Sequence, residues 1–217
     1  MSGNLKSHRK LFVSRTNFLQ RAGIRPFVPW DKYYAGNRLY FEILVWHKRR
    51  KDIFSREFAE LAYATLDSWG MHRRKAKLKK FNDFFKNINK HEDEISQLRN
   101  VRIEHLTSEK KELATDLFAD FNVMSSSTQL VGASKTLHYY LPNLSPPIDR
   151  QYTLRRLRWE GYYPFDETGF YKEMLKWCNT LCKDFNITQK DQRYSEFDHA
   201  SVAVPIPKII DDAIMSK

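Results

Sequence analysis

The chain has 217 residues, and 37 Lys and Arg against 26 Asp and Glu leave a formal charge of +11 at pH 7. With 41% apolar and 14% aromatic residues and only 7 Gly and 8 Pro, it falls outside the disordered, collagen-like and linker classes. That length fits a single compact unit over 1–217, or two interlocked lobes, with a core that needs no disulfide. Cys178 and Cys182 stand four apart in an apolar helical pattern, which reads as two reduced core thiols in the reducing cytoplasm. No zinc-ligand spacing accompanies them, and no metal or other cofactor is expected. Apolar runs of roughly 18 residues are absent, and Met1 to Lys10 is polar and basic, so neither a membrane span nor a secretory leader is expected.

Helical periodicity dominates along the chain. Leu39, Tyr40, Ile43, Leu44 and Trp46 mark one helix. From Phe54 to Trp69 the residues Phe54, Phe58, Leu61, Ala62, Thr65, Leu66 and Trp69 recur at spacings of three and four, and Gly70 ends the stripe. Phe81, Phe84, Phe85 and Ile88 predict another helix, and Thr107 is a fitting N-cap for one carrying Leu113, Leu117, Phe118 and Phe121. A helix over Ala133–Leu141 follows, then a stripe through Phe170, Met174, Trp177, Cys178, Leu181, Cys182 and Phe185, and a last helix over Ile206–Met215. Irregular joints are expected at Arg25–Asp31, Asn143–Pro147 and Ser195–Pro207. The expected architecture is a mostly α orthogonal bundle.

The charge is clumped. His47–Lys51 reads HKRRK, Arg73–Lys80 reads RRKAKLKK, and Arg150, Arg155, Arg156 and Arg158 form a third cluster, whereas His91–Glu94 is locally acidic. Any one run alone is most simply a solvated face. Three runs with this net charge favour a phosphate-backbone partner, because each neutralised phosphate releases counterions.

The stretch Leu130–Thr153, LVGASKTLHYYLPNLSPPIDRQYT, carries a glycine turn, a helix, a proline-rich loop and an aspartate followed by basic residues. It resembles the helix-hairpin-helix DNA glycosylases. The resemblance places the hairpin at Ser125–Ser134, the catalytic aspartate at Asp149 and a lysine nucleophile at Lys135, within a 125–153 segment. Physically, a helix start at Gly132 would offer the N–H groups of Ala133, Ser134 and Lys135 to a phosphate. Pro142, Pro146 and Pro147 stiffen the loop that delivers Asp149. A carboxylate there can stabilise the sugar cation that grows as a base departs and can activate water. A lysine amine can instead attack C1′ and lead to β-elimination. Aligned on Gly132, Ser134 occupies the family's lysine position; aligned on Lys135 and Thr136, the turn gains one residue. The two registers aim the amine roughly 100° apart.

Base excision also needs a pocket for an extruded nucleotide. Trp69, Met71 and His72, at the helix break DSWGMHRR, and Tyr152, three residues after Asp149, are the candidates, with Trp30 and Trp46 as further contributors. Trp46 reads better as core, and His138 as a packed histidine. Arg73, Arg74 and Arg150 are candidate DNA contacts, and Asp198 and His199 sit in a C-terminal segment of unplaced role. EF-hand, HExxH, Walker and GxGxxG motifs are absent.

The expected function is that of a metal-independent, monomeric DNA glycosylase acting on double-stranded DNA. The resemblance implies an oxidised or alkylated purine as substrate, in DNA repair. A hypermodified phage base, in antiviral defence, is the other substrate considered. The competing readings are a non-enzymatic helix-hairpin-helix DNA-binding protein and a helical RNA-binding protein.

Overall fold

Helix prevails because the apolar residues recur at helical spacing while capping residues fall at the ends of the stripes. The computed structural model describes residues 11–23, 34–71, 77–126, 129–149, 153, 155–157, 166–192, 194–197 and 200–216. In chain order the helices are α1 (Arg15–Gly23), α2 (Tyr34–Lys48), α3 (Arg56–Ser68), α4 (Phe81–Lys90), α5 (Glu92–Leu98), α6 (Ser108–Asp120), α7 (Leu130–Tyr140), the single turn α8 (Arg155–Leu157), α9 (Glu167–Asp184) and α10 (Ile206–Met215). Short 3₁₀ turns lie at Ile103–His105 and Gln189–Asp191. The strands β1 (Tyr194–Phe197) and β2 (Ala200–Ala203) pair antiparallel, Tyr194 opposite Ala203 and Phe197 opposite Ala200.

The caps explain the boundaries. Ser55 accepts from the Phe58 N–H at 3.3 Å to open α3, and Thr107 accepts from the Lys110 N–H at 3.3 Å to open α6. Helix α3 closes with the Gly70 N–H on the Asp67 carbonyl and the Met71 N–H on the Leu66 carbonyl, the paired bonds of a Schellman end. The segment expected to be irregular after Ser195 instead holds the β-hairpin. Strands of four residues are too short to show alternation, and their support is tertiary: β2 lies against α2, where Lys48 Nζ donates to the Ser201 carbonyl at 2.8 Å.

Helix α7 is the centre of the molecule. It packs against α3, α6 and α9, and every one of its residues except Val131 is buried. Phe118 of α6 and Tyr171 of α9 stack at 4.2 Å beside it. Helices α1 and α10 meet, and the Ser216 hydroxyl donates to the Arg21 carbonyl at 2.8 Å, tying the two ends of the described chain together. The buried apolar residues form one connected core. Cys178 and Cys182 lie within it as free thiols, and burial pushes Cys182 up to about 12 and Cys178 far above its ordinary value. Both stay protonated and chemically quiet. Among the described residues, no helix is long and apolar enough to cross a membrane.

The start of α7 corrects the sequence reading. The helix begins at Leu130, three residues before the expected Ala133. Gly132 marks a close approach rather than a turn: a Cβ there would lie 2.1 Å from Met124 Sδ. The Ala133 N–H is already bonded to the Gln129 carbonyl at 2.8 Å. The N–H groups of Gln129 and Leu130 both donate to Glu167 Oε2, at 2.7 and 3.0 Å. The anion at this helix start is therefore a carboxylate of α9. Glu167→Gln is expected to destabilise the fold by about 1–2 kcal/mol, read as a lowered Tm. An unchanged melt would show that this contact contributes nothing.

Candidate active site

After α7 the chain turns back along the helix, and specific bonds fix its path. The Leu144 and Ser145 N–H groups both donate to the Leu141 carbonyl, at 3.0 and 2.9 Å. The Ser145 hydroxyl meets the Tyr171 hydroxyl at 2.9 Å. The Ile148 N–H donates to Ser134 Oγ at 3.2 Å. The Asp149 N–H donates to Thr153 Oγ1 at 3.0 Å, and the Thr153 N–H returns to the Asp149 carbonyl at 2.9 Å. The proline-rich loop is thus held by its backbone. Lys135 Nζ lies 3.7 Å from Asp149 Oδ2, with the two side chains 11% and 30% exposed. The lysine thus meets the aspartate, while Ser134 anchors the loop beside it.

Aromatic rings close one side. Lys135 Nζ sits 5.2 Å from the centre of the Trp69 ring, within cation–π range. Trp69 lies where α3 ends, and its indole fits against α2 because residue 36 is glycine; a Cβ there would come within 2.2 Å of Trp69 Cδ1. Tyr40 and Tyr139 flank the indole, with ring centres at 5.7 and 5.8 Å. The Tyr139 hydroxyl is buried with no hydrogen-bond partner among the described residues. His138 is packed as expected: burial pushes its pKa down to about 3, so the ring is neutral. Its Nδ1 lies 2.7 Å from the Ser145 carbonyl, which can only accept, so Nδ1 carries the proton. Nε2 then accepts from the Tyr40 hydroxyl at 2.7 Å. This chain ties α2, α7 and the proline loop into one frame.

Electrostatics set the state of the amine. Burial lowers the pKa of Lys135; the carboxylates of Asp149 and Asp211 work against that, and the charge of Lys208 adds to it. The amine therefore loses its proton more readily than a surface lysine, which suits a nucleophile. Asp211 and Lys208 belong to α10. Lys208 Nζ donates to Asp211 Oδ2 at 2.9 Å and to Asp212 Oδ1 at 2.6 Å, while Asp211 Oδ1 is buried with no partner among the described residues. Burial opposes the Lys208 charge, yet the Asp212 and Asp211 carboxylates outweigh it and raise its pKa.

The structure brings together Lys135, Asp149 and Trp69. Gly132, Ala133 and Ser134 lie buried inside α7 and present no open helix start, because that end holds Glu167. His72, Arg73, Arg74, Arg150 and Tyr152 lie outside the described residues, as do Trp30, Asp198 and His199. Met71 is buried in the core. Trp46 packs on Phe58 and donates from Nε1 to the Asp52 carbonyl at 2.9 Å, a structural role. Of the basic runs, His47 bonds the Tyr139 carbonyl through Nε2 at 2.7 Å, and Arg156 donates to the Ser216 carbonyl at 2.6 Å. Sequence reasoning missed Gly36, Tyr40, Tyr139, Lys208 and Asp211. Only Tyr40 carried a signal, as a polar-tipped ring on an apolar stripe. Ser134→Ala leaves the buried Ile148 N–H without an acceptor and is expected to cost about 1–3 kcal/mol, read by chemical denaturation. A denaturation midpoint equal to wild type would contradict that role for Ser134.

No protein-family model matches the chain, and no similar curated protein or solved structure is found.

Proposed function

We propose that the protein is a DNA glycosylase of helix-hairpin-helix type, with the segment 125–153 as its hairpin, helix and aspartate loop and Asp149 as the catalytic carboxylate. The observation that carries this reading is the pairing of Lys135 Nζ with Asp149 Oδ2 at 3.7 Å beside Trp69. A buried amine and a partly exposed carboxylate, next to an aromatic ring, suit cleavage of an N-glycosidic bond. As the C1′–N bond breaks, the base leaves with the bond electrons and gains a proton. Asp149 stabilises the cationic sugar and takes a proton from the water that adds to C1′. Lys135 offers a second course: its neutral amine displaces the base at C1′, the nitrogen gives up a proton as the C1′–O4′ bond breaks and O4′ takes one up, and loss of a C2′ proton from the resulting iminium expels the 3′-phosphate. Trp69 offers a stacking face to the extruded base.

Duplex DNA is the proposed partner, met by a monomer of the protein in the cytoplasm. Since Glu167 holds the start of α7, grip on the backbone is assigned to basic side chains. An oxidised or alkylated purine is the first substrate class, with a hypermodified phage base as the second. The test is to incubate the protein with damaged, alkylated and phage-derived DNAs and to score abasic sites by alkali cleavage. Abasic sites in one class name the substrate. Tight duplex binding without abasic sites across the panel would leave a DNA-binding module instead.

A further inference from the structure

A groove of about 600 Å³ lies between α4 and the Leu78–Met124 bridge. Four lysines line it, Lys79, Lys80, Lys86 and Lys90, with Ser125 on the rim and Asp83 the one carboxylate among its lining residues. None of the four lysines forms an ion pair with a described residue, although Asp83 sits one helical turn from Lys80 and from Lys86. Asn87 also faces the groove, and its Oδ1 is buried with no partner among the described residues.

The groove is built rather than incidental. The Lys79 N–H donates to the Val123 carbonyl at 3.0 Å, and the Tyr63 hydroxyl donates to the Lys79 carbonyl at 2.9 Å. The Ser125 N–H donates to the Lys77 carbonyl at 2.8 Å, which fixes the opposite rim. On α4, Phe84 and Ile88 are buried, so Lys86 and Lys90, four residues apart, share the face left to solvent. Four like charges against one carboxylate, Asp83, among the lining residues repel one another, and a concave wall of low dielectric focuses their field outward. A ligand with regularly spaced negative charge relieves that repulsion.

Met124, bridged to Leu78 beside the groove, packs against Gly132 of α7. Lys135 is three residues further along the same helix, a rise of about 4.5 Å.

We propose that this lysine groove binds the sugar-phosphate backbone of duplex DNA. This inference rests on the glycosylase reading for its choice of duplex DNA. The test uses the full chain with Lys79→Gln, Lys80→Gln, Lys86→Gln and Lys90→Gln combined, beside the same four positions changed to Arg. Affinity for an unmodified duplex is measured across a salt series. The Gln variant is expected to bind about a hundredfold more weakly at low salt, and its slope of log K against log salt should be shallower by about 3–4, while the Arg variant keeps the wild-type slope. Lysine acetylation of the wild type provides a second measurement, with the four amines protected by duplex. An unchanged slope in a folded Gln variant, or no protection, overturns the proposal. So does a wild type that binds only single strands or RNA. A slope that falls as expected in a protein that makes no abasic sites keeps the groove and removes the glycosylase.

Discussion

Asp149→Asn is expected to lower the rate of abasic-site formation by about three orders of magnitude or more while leaving the fold intact. The amide keeps the size of the carboxylate but loses the negative charge that answers the sugar cation and the basicity that activates water. The loop keeps its backbone bonds, the Ile148 N–H on Ser134 Oγ and the Asp149 N–H on Thr153 Oγ1, and the amide still offers an acceptor oxygen in place of the carboxylate. Helix content and Tm should therefore match the wild type closely. Retained activity in the Asn variant would show that Asp149 is a loop residue with no part in the chemistry.

Lys135→Met separates the two courses of the reaction. With borohydride, the wild type should form a covalent adduct with DNA carrying abasic sites, and the variant should form none; base release itself should persist if water is the ordinary nucleophile. The same substitution is expected to raise stability by about 1–3 kcal/mol, since an amine held in a buried setting gives way to an apolar chain of similar length. Asp149 is 30% exposed, so losing its partner costs it little. The sign with pH follows from the lowered pKa. Between the folded-state value and the ordinary 10.5, the unfolded chain binds the proton that the folded chain has lost, so wild-type stability rises with pH through that window. Below the folded-state value the charged amine carries its full penalty. The gain from Lys135→Met should thus be largest at neutral and acidic pH and shrink as pH approaches 10.5. A variant less stable than wild type at pH 7 would mean that the ion pair supports the fold.

Long amphipathic helices were legible because burial repeats at 3.6 residues: α2, α3, α4, α6, α9 and α10 all fall where their apolar stripes lie. Helices α1 and α5 were not: their buried pairs, Phe18 with Ala22 and Ile95 with Leu98, lack the flanking aromatic rings that Phe81 and Phe85 add to the stripe of α4. The bounds of α7 were misread for a different reason. Gly132 looks like a turn in the sequence, yet its missing side chain makes room for Met124, which is far away along helical spacing and close only in three dimensions. In the site, Lys135, Asp149 and Trp69 were nameable from one motif and one helix end. Their surroundings were not. Gly36, Tyr139 and the α10 charges Lys208 and Asp211 reach the site through packing between distant segments, which no local pattern encodes. The N–H groups of Ala133, Ser134 and Lys135 expected to open a helix lie inside one, because α7 already runs from Leu130, whose N–H is held by Glu167 of α9, 37 residues away.

The central claim concerns one bond, and the product that reports it is a free base. The most direct measurement is mass spectrometry of the small-molecule fraction after the protein has been incubated with each duplex DNA of the panel, beside its Asp149→Asn variant. A free base is expected, released from one class of DNA in equal number to the abasic sites and missing with the variant. Duplex binding with no base released from any DNA would contradict it.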